Sequence, residues 1–356
     1  MSEEERDPKR SRLMEEPTLS AAANENDADD ATGGTQNEND PPPSPPSESA
    51  GEDRKTNPSE GEQEICFGDL PDEVRKNIFG RLDVKTLCLK REVSPAWKQE
   101  CEQAIEDKKE DGAGVFTTNK DLCEATKKHY KCKYEKYTVA LAEEIAVKYG
   151  WFIGQWNVSA VTDFSNVFSG QQQFNDYIGD WNVGNGTNFR AMFYWNVAFN
   201  QNLSKWNMAN ARDISFMFFK ATSFNGDIST WNTANVEEAG WLFHSASAFN
   251  QDVSTWNLSQ CKNMCGMFDG ASSFNQALSR WDTTRCEDMN CMFHNASSFN
   301  QDLSVWDVSN ARNKMRCMFV STQVSITGVS AWELWTSVLT PEDIESLFRD
   351  PDAPDG

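Results

Sequence analysis

Cys261, Cys265, Cys286, Cys291, His294 and Cys317 crowd one stretch of the chain, and thiols with an imidazole are what a structural zinc site is built from. No paired C-x-x-C accompanies them. Cys261 and Cys286 each stand five residues after a tryptophan, and after other tryptophans the same slot holds Val161, Ala211, Val236 and Ala311. That is a small apolar slot, where a reduced cysteine packs as a hydrophobe. His129, His244 and His294 have no serine or cysteine at a spacing that nucleophilic catalysis uses, and there is no glycine-rich phosphate loop. Carboxylates are too abundant to single any out. The expectation is no catalytic residue, no metal and no cofactor.

What positions these residues is a period. Trp156, Trp181, Trp206, Trp231, Trp256, Trp281 and Trp306 follow one another at 25-residue steps. Phe174, Phe199, Phe224, Phe249, Phe274 and Phe299 keep the same step, each followed by an asparagine: Asn175, Asn200, Asn225, Asn250, Asn275 and Asn300. Phe168, Phe193, Phe218, Phe243, Phe268 and Phe293 form a further column, with Phe319 one residue late after an insertion beyond Trp306. Several columns in register mean a tandem array in which each unit buries its apolar face on its neighbours. Recurrence at one phase assigns the tryptophans and phenylalanines to the core rather than to a ligand-stacking surface.

Within a unit, apolar residues eight, eleven, twelve and fifteen positions after the tryptophan have helical spacing, as in Ile214, Met217, Phe218 and Ala221. Spacing near two around Leu203, Trp206 and Met208 reads as a short strand. The asparagine column suits one inward amide per turn, satisfying backbone groups of its own loop and the next. Five residues break the column consensus and are candidates for contact with a target: Tyr194, Trp195, Lys220, Trp241 and His244.

The pattern MF-x-x-A-x-x-FNQ-x-L-S-x-W-[DN]-V-S resembles the repeats of BspA-like leucine-rich-repeat surface proteins and Mycoplasma-type lipoproteins. The resemblance covers about residues 150–335. It implies a non-enzymatic binding solenoid, leucine-rich-repeat-like and α+β, with a short helix and a short strand in each repeat.

Upstream, residues 1–63 are acidic and proline-rich and offer almost nothing to bury, which predicts a disordered tail. From residue 64 to 105 three short helices are expected. Asp69 caps the first, Pro71 suits its first turn, and Val74, Ile78, Phe79 and Leu82 form one stripe. Leu70-Pro71-Asp72-Glu73-Val74, Ile78-Phe79 and Leu82-Asp83, with Leu87, Val93-Ser94 and Trp97 after them, resemble an F-box. That resemblance implies a small all-α module binding a Skp-family adaptor and, through it, the cullin scaffold of a ubiquitin ligase. Lys90-Arg91-Glu92 departs from the family's usual apolar residues there. The plainer alternative is that the stripe only packs this module onto the next part of the chain. Residues 106–150 read as helical linker and N-terminal cap, 151–335 as the repeats, and 336–356 as a C-terminal cap helix, opening at Thr340-Pro341-Glu342-Asp343, and tail.

A formal net charge of −22 disfavours nucleic acid and anionic membrane as partners. The first residues have no secretory apolar core, so an intracellular protein with reduced cysteines is expected, in cytoplasm or nucleus. The function these features imply is the substrate-recognition subunit of a cullin-RING ligase, its repeats holding an unknown protein target. The alternative is a repeat scaffold, or a surface adhesion protein, with no ubiquitin role.

Overall fold

The structure is a computed structural model that describes Gly80 and residues 103–104, 114–135, 139–324 and 340–350. The F-box-like positions Leu70, Pro71, Val74, Ile78, Phe79, Leu82, Leu87, Val93 and Trp97 lie outside these residues, as does the N-terminal tail.

Immediately before the repeats the described residues include α1 (Asn119–Tyr130), prolonged by a π-helical turn at Lys131–Glu135, and α2 (Val139–Tyr149). Thr118 caps α1, its hydroxyl accepting from the amide of Asp121 at 3.1 Å. Among the described residues no helix is long and apolar enough to cross a membrane.

The units from Trp156 onward lie one on another at the 25-residue step. Phe168, Phe193, Phe218, Phe243, Phe268, Phe293 and Phe319 form one continuous pile of rings, with centroids 5.4–5.9 Å apart. Phe174 to Phe299 form a second, at 5.8–6.0 Å. All seven repeat tryptophans are buried. Each indole N–H donates to a carbonyl of the preceding turn, from Trp156 to Gly150 at 2.9 Å through Trp306 to Leu278 at 3.0 Å. Tryptophan suits this slot because it fills a large apolar volume while its one polar atom reaches an acceptor.

The short helix and short strand expected in each repeat are absent from the described units, which consist of turns and single parallel bridges. Asp163, Asn188, Asp213, Glu238, Asn263 and Asp288 bridge in succession, seven residues after each tryptophan and not at the Leu203–Met208 spacing. The reason is where the amides go. From the eighth to the fourteenth residue after each tryptophan, alternate N–H groups donate into the next unit: Ile214 to Glu238, Phe216 to Gly240, Phe218 to Leu242 and Lys220 to His244, at 2.7–3.0 Å. Of the amides between, the first donates to the side chain two residues back, as Ser215 to Asp213 Oδ1 at 2.8 Å, and the others close three-residue turns, as Phe219 to Phe216 at 3.1 Å. A helix would use those same donors internally, so the inter-unit ladder and the helix exclude each other.

Left-handed residues complete the pattern. At the tenth residue after the tryptophan stand Asn166, Ala191, Phe216, Trp241, Gly266 and Cys291, and at the fourteenth Gly170, Trp195, Lys220, Ser245, Gly270 and Asn295, with φ between 54° and 75°. Two reversals per turn break the run of right-handed residues a helix needs, yet leave apolar side chains at near-helical spacing.

The ends of the ladder are covered in complementary ways. The first unit presents carbonyls. Asn119 Nδ2 donates to Asp163 O and Ser165 O at 3.1 and 2.8 Å, and Thr126 Oγ1 to Val167 O at 2.7 Å. The last unit presents amides, which face α3 (Pro341–Phe348), opened by a Thr340–Asp343 capping box. Cys317 N–H donates to Ser346 O and Phe319 N–H to Leu347 O, both at 2.9 Å. These carbonyls belong to the last turn of α3, where a helix leaves acceptors unused.

Candidate interaction face

The asparagine column lies at the rim, not in the interior expected of it. Asn175, Asn200, Asn250, Asn275 and Asn300 are exposed and Asn225 is half-buried. Each Oδ1 from Asn175 to Asn275 accepts the amide of the asparagine one unit later, at 2.8–3.0 Å. Gln201, Gln251, Gln276 and Gln301 reinforce the ladder from their Nε2 atoms. Gly226 occupies the slot where the others have glutamine, and a Cβ there would fall 2.0 Å from Gln201 O. The asparagines satisfy backbone that water also reaches, which is why they need not point inward.

The five off-column residues are brought to one face by the left-handed reversals. Trp195, Lys220 and Trp241 occupy left-handed positions, and Tyr194 and His244 fall in the column thirteen residues after the tryptophan. Trp195 is 46 % exposed; Tyr194, Lys220, Trp241 and His244 are half-buried. The Lys220 ammonium sits 5.3 Å from the Trp195 ring centroid, and the Arg190 guanidinium 4.5 Å from that of Phe216. For a bulky L-residue the left-handed backbone costs roughly 1–2 kcal/mol. Trp195, Lys220 and Trp241 each donate a 2.7 Å ladder bond that offsets it.

The thirteenth-residue column continues past the residues singled out from sequence. Tyr194 stacks on Phe219 at 4.7 Å, and Phe219 on His244 at 4.4 Å. His244 Nδ1 lies 3.1 Å from Asp269 Oδ2, and His294 Nδ1 lies 3.0 Å from Asp269 Oδ1. Burial pushes the Asp269 carboxyl up, but hydrogen bonds and charge from His244 and His294 outweigh it and hold the group below the usual carboxylate range. Asp269, His294, Phe219 and Arg190 do not stand out in the sequence as face residues, although Tyr194, Phe219, His244, Asp269 and His294 stand at 25-residue steps. Glycine and asparagine at positions 166, 170, 266, 270 and 295 were the signal for the left-handed columns.

The cysteines divide between two environments. Cys261 and Cys286 are buried among the repeat side chains; Cys265 and Cys291 are half-buried nearer this face. Burial pushes the Cys286 and Cys291 thiols up to about 12 and raises Cys261 and Cys265 likewise. Thiols so shifted stay protonated at neutral pH, and the buried pair packs as small hydrophobes. Among the described residues no three His, Cys, Asp or Glu side chains converge as a metal site would require.

A cleft of about 360 Å³ opens where the π-turn meets the first unit, lined by His129, Lys133, Trp151, Asp176, Tyr177 and Asp180 among others. Tyr134 donates to Asp176 Oδ1 at 2.7 Å, and Lys133 pairs with the same oxygen. Burial and then the Asp176 charge raise the Tyr134 phenol far above its ordinary value, so it remains a donor. These contacts tie the π-turn to the first unit.

The family model described as Mycoplasma protein of unknown function, DUF285, matches residues 142–256 and again residues 226–332, together more than half of the chain. The chain belongs to this family. Its repeats are BspA-like, and the overlap of the two matches is what a periodic sequence produces. No curated protein and no solved structure matches the chain.

Proposed function

We propose that this BspA-like protein is a non-enzymatic interaction scaffold, a leucine-rich-repeat-like solenoid that binds a protein partner across the face bearing Tyr194, Trp195, Lys220, Trp241 and His244. One observation carries the reading. The core columns repeat nearly unchanged, while the left-handed columns hold varied residues and, in Trp195, an aromatic that is almost half exposed. Large side chains at strained, solvent-facing positions contribute little to the fold and are the kind that anchor interfaces. A photo-crosslinking residue at position 195 should join the full chain to a partner protein, and the same residue at Asn200 should not. Equal capture from both positions would remove this face from consideration.

A second reading adds a ligase role, and the sequence Leu70-Pro71-Asp72-Glu73-Val74 with Ile78-Phe79, Leu82, Leu87, Val93 and Trp97 is what favours it. In that reading the F-box-like segment grips a Skp-family adaptor and a cullin scaffold inside the cell, and the repeats present a target for ubiquitin transfer. The chain itself supplies proximity. A pull-down of purified full chain with the adaptor, compared with Leu70→Ala/Pro71→Ala, tests it. Wild-type binding lost in the double variant supports the ligase role; no binding by wild type leaves the scaffold reading alone, or a surface adhesion role.

A further inference from the structure

We propose that the partner segment held on this face is acidic: an extended peptide whose carboxylates meet Arg190 and Lys220 and whose apolar side chains lie on Trp195 and Trp241. The inference rests on the scaffold reading and specifies the partner's chemistry. The four columns that line the face are the ninth, tenth, thirteenth and fourteenth residues after each tryptophan, one later in the last unit. Across the seven units these columns contain the cations Arg190, Lys220 and Arg316 and a single carboxylate, Asp269. The whole chain has 55 Asp and Glu against 33 Lys and Arg. Within these four columns the one carboxylate is buried and held between two imidazoles; the bridging column beside them holds Asp163, Asp213, Glu238 and Asp288, half-buried, and Asp213 Oδ1 accepts from Ser215 Oγ at 2.5 Å.

The two cations nearest the exposed tryptophan are held in place. Arg190 is exposed, donates from Nη1 to Ser215 Oγ at 2.7 Å and lies over Phe216; Lys220 lies over Trp195 and Phe219. Preorganised cations beside rings present charge and apolar area together, which a segment mixing acidic and apolar residues would satisfy and a basic or purely polar one would not. The chain's overall negative charge repels such a segment only weakly at contact, since screening at physiological salt acts over about 8 Å. Contact charge therefore decides.

The test is selection of random peptides of about twelve residues, roughly 40 Å when extended, displayed on phage and panned on the immobilised full chain. Selected peptides are then labelled and titrated against wild type and against Arg190→Ser/Trp195→Asn/Lys220→Ser. Each replacement is a residue that the same column holds elsewhere, at Ser165 and Ser215, Asn295, and Ser245, so the variant keeps the fold; its melting curve checks this. The expected result is an excess of Asp and Glu among the recovered peptides, with affinity at least roughly tenfold weaker in the variant and falling with added salt. Neutral or basic peptides that still lose affinity in the variant would overturn the acidic specificity and leave the scaffold face standing. Peptides of any charge that bind wild type and variant alike would overturn both, as would failure to select any.

Discussion

The indole N–H of Trp256 donates to the carbonyl of Ile228, 28 residues earlier, at 3.2 Å, and that same oxygen accepts the amide of Trp231 at 3.2 Å. The contact separates two parts of what tryptophan contributes. Trp256→Ala removes a buried ring stacked at 5.9 Å on Trp231 and should cost about 3–5 kcal/mol. Trp256→Phe keeps most of the apolar volume and leaves the carbonyl one donor, so it should cost only about 1–2 kcal/mol. Urea titrations of the two variants check the order; equal losses would mean that the ring's volume is not what the slot requires.

The rim asparagines act as acceptors. Asn250 Oδ1 takes the Asn275 amide and Gln276 Nε2, both at 3.0 Å. Asn250→Asp preserves an acceptor in that place and should leave the melting temperature nearly unchanged at neutral pH. Asn250→Ala should lose about 1 kcal/mol. If the aspartate variant is the less stable of the two, the amide's donor matters more than its oxygen.

Asp269 gives the face a dependence on acidity. Its folded carboxyl sits below the ordinary value, near 3.9 for an unfolded aspartate, so the unfolded chain binds the proton first as pH falls. The stability it contributes is therefore complete above about pH 5 and is lost as pH falls through the depressed folded value. Asp269→Asn should lower the melting temperature at pH 7, with the gap to wild type closing as pH falls through the depressed folded value. A gap that does not change with pH would show that the carboxylate's charge plays no part between His244 and His294.

Trp195 should be dispensable to the fold. Its φ of 54° is uncomfortable for a bulky L-residue, and nearly half of its surface is exposed. Trp195→Asn installs a residue that tolerates the left-handed region and already stands in that column at Asn295. The variant should melt no lower than wild type in calorimetry. A clear loss of stability would assign Trp195 to packing instead.

The period, and with it the core columns, was legible because burial on both neighbours demands the same residue every 25 positions, as at Trp206 and Trp231. The local backbone was not. Ile214, Met217, Phe218 and Ala221 have the spacing of a helix, but their segment bonds to the next unit and reverses at Phe216 and Lys220. Apolar periodicity reports which side chains go inward, not which carbonyl each amide finds. The asparagine column reads as inward for a similar reason, since a repeated amide fits a ladder at the rim as well as one inside. The binding candidates fell on a single face because departures from a column consensus share the geometry of that column. Asp269 escaped notice because its partners are 25 residues away on either side.

The two ends of the ladder are unlike, and removing a cover should show it. The first unit offers carbonyls to Asn119 and Thr126, and the last offers amides to the closing turn of α3. Leu347 is buried there, and Phe348 lies 5.6 Å from Phe319. Leu347→Asp would place a charge in that contact and should release α3, exposing the amides of Cys317 and Phe319 over an apolar end. Such an edge seeks acceptors, and the complementary carbonyls of the first unit are still covered by α1. The single variant should therefore gain concentration-dependent self-association with little regular assembly. Adding Asn119→Ala/Thr126→Ala opens the other end as well, and donor end can then meet acceptor end. That contact is head-to-tail and does not close on itself, so the combined variant should form longer chains than either change alone. Size-exclusion chromatography with light scattering across a concentration series distinguishes these outcomes. Dimers that stop at two copies in the combined variant would show that like ends pair, contrary to the polarity of the ladder.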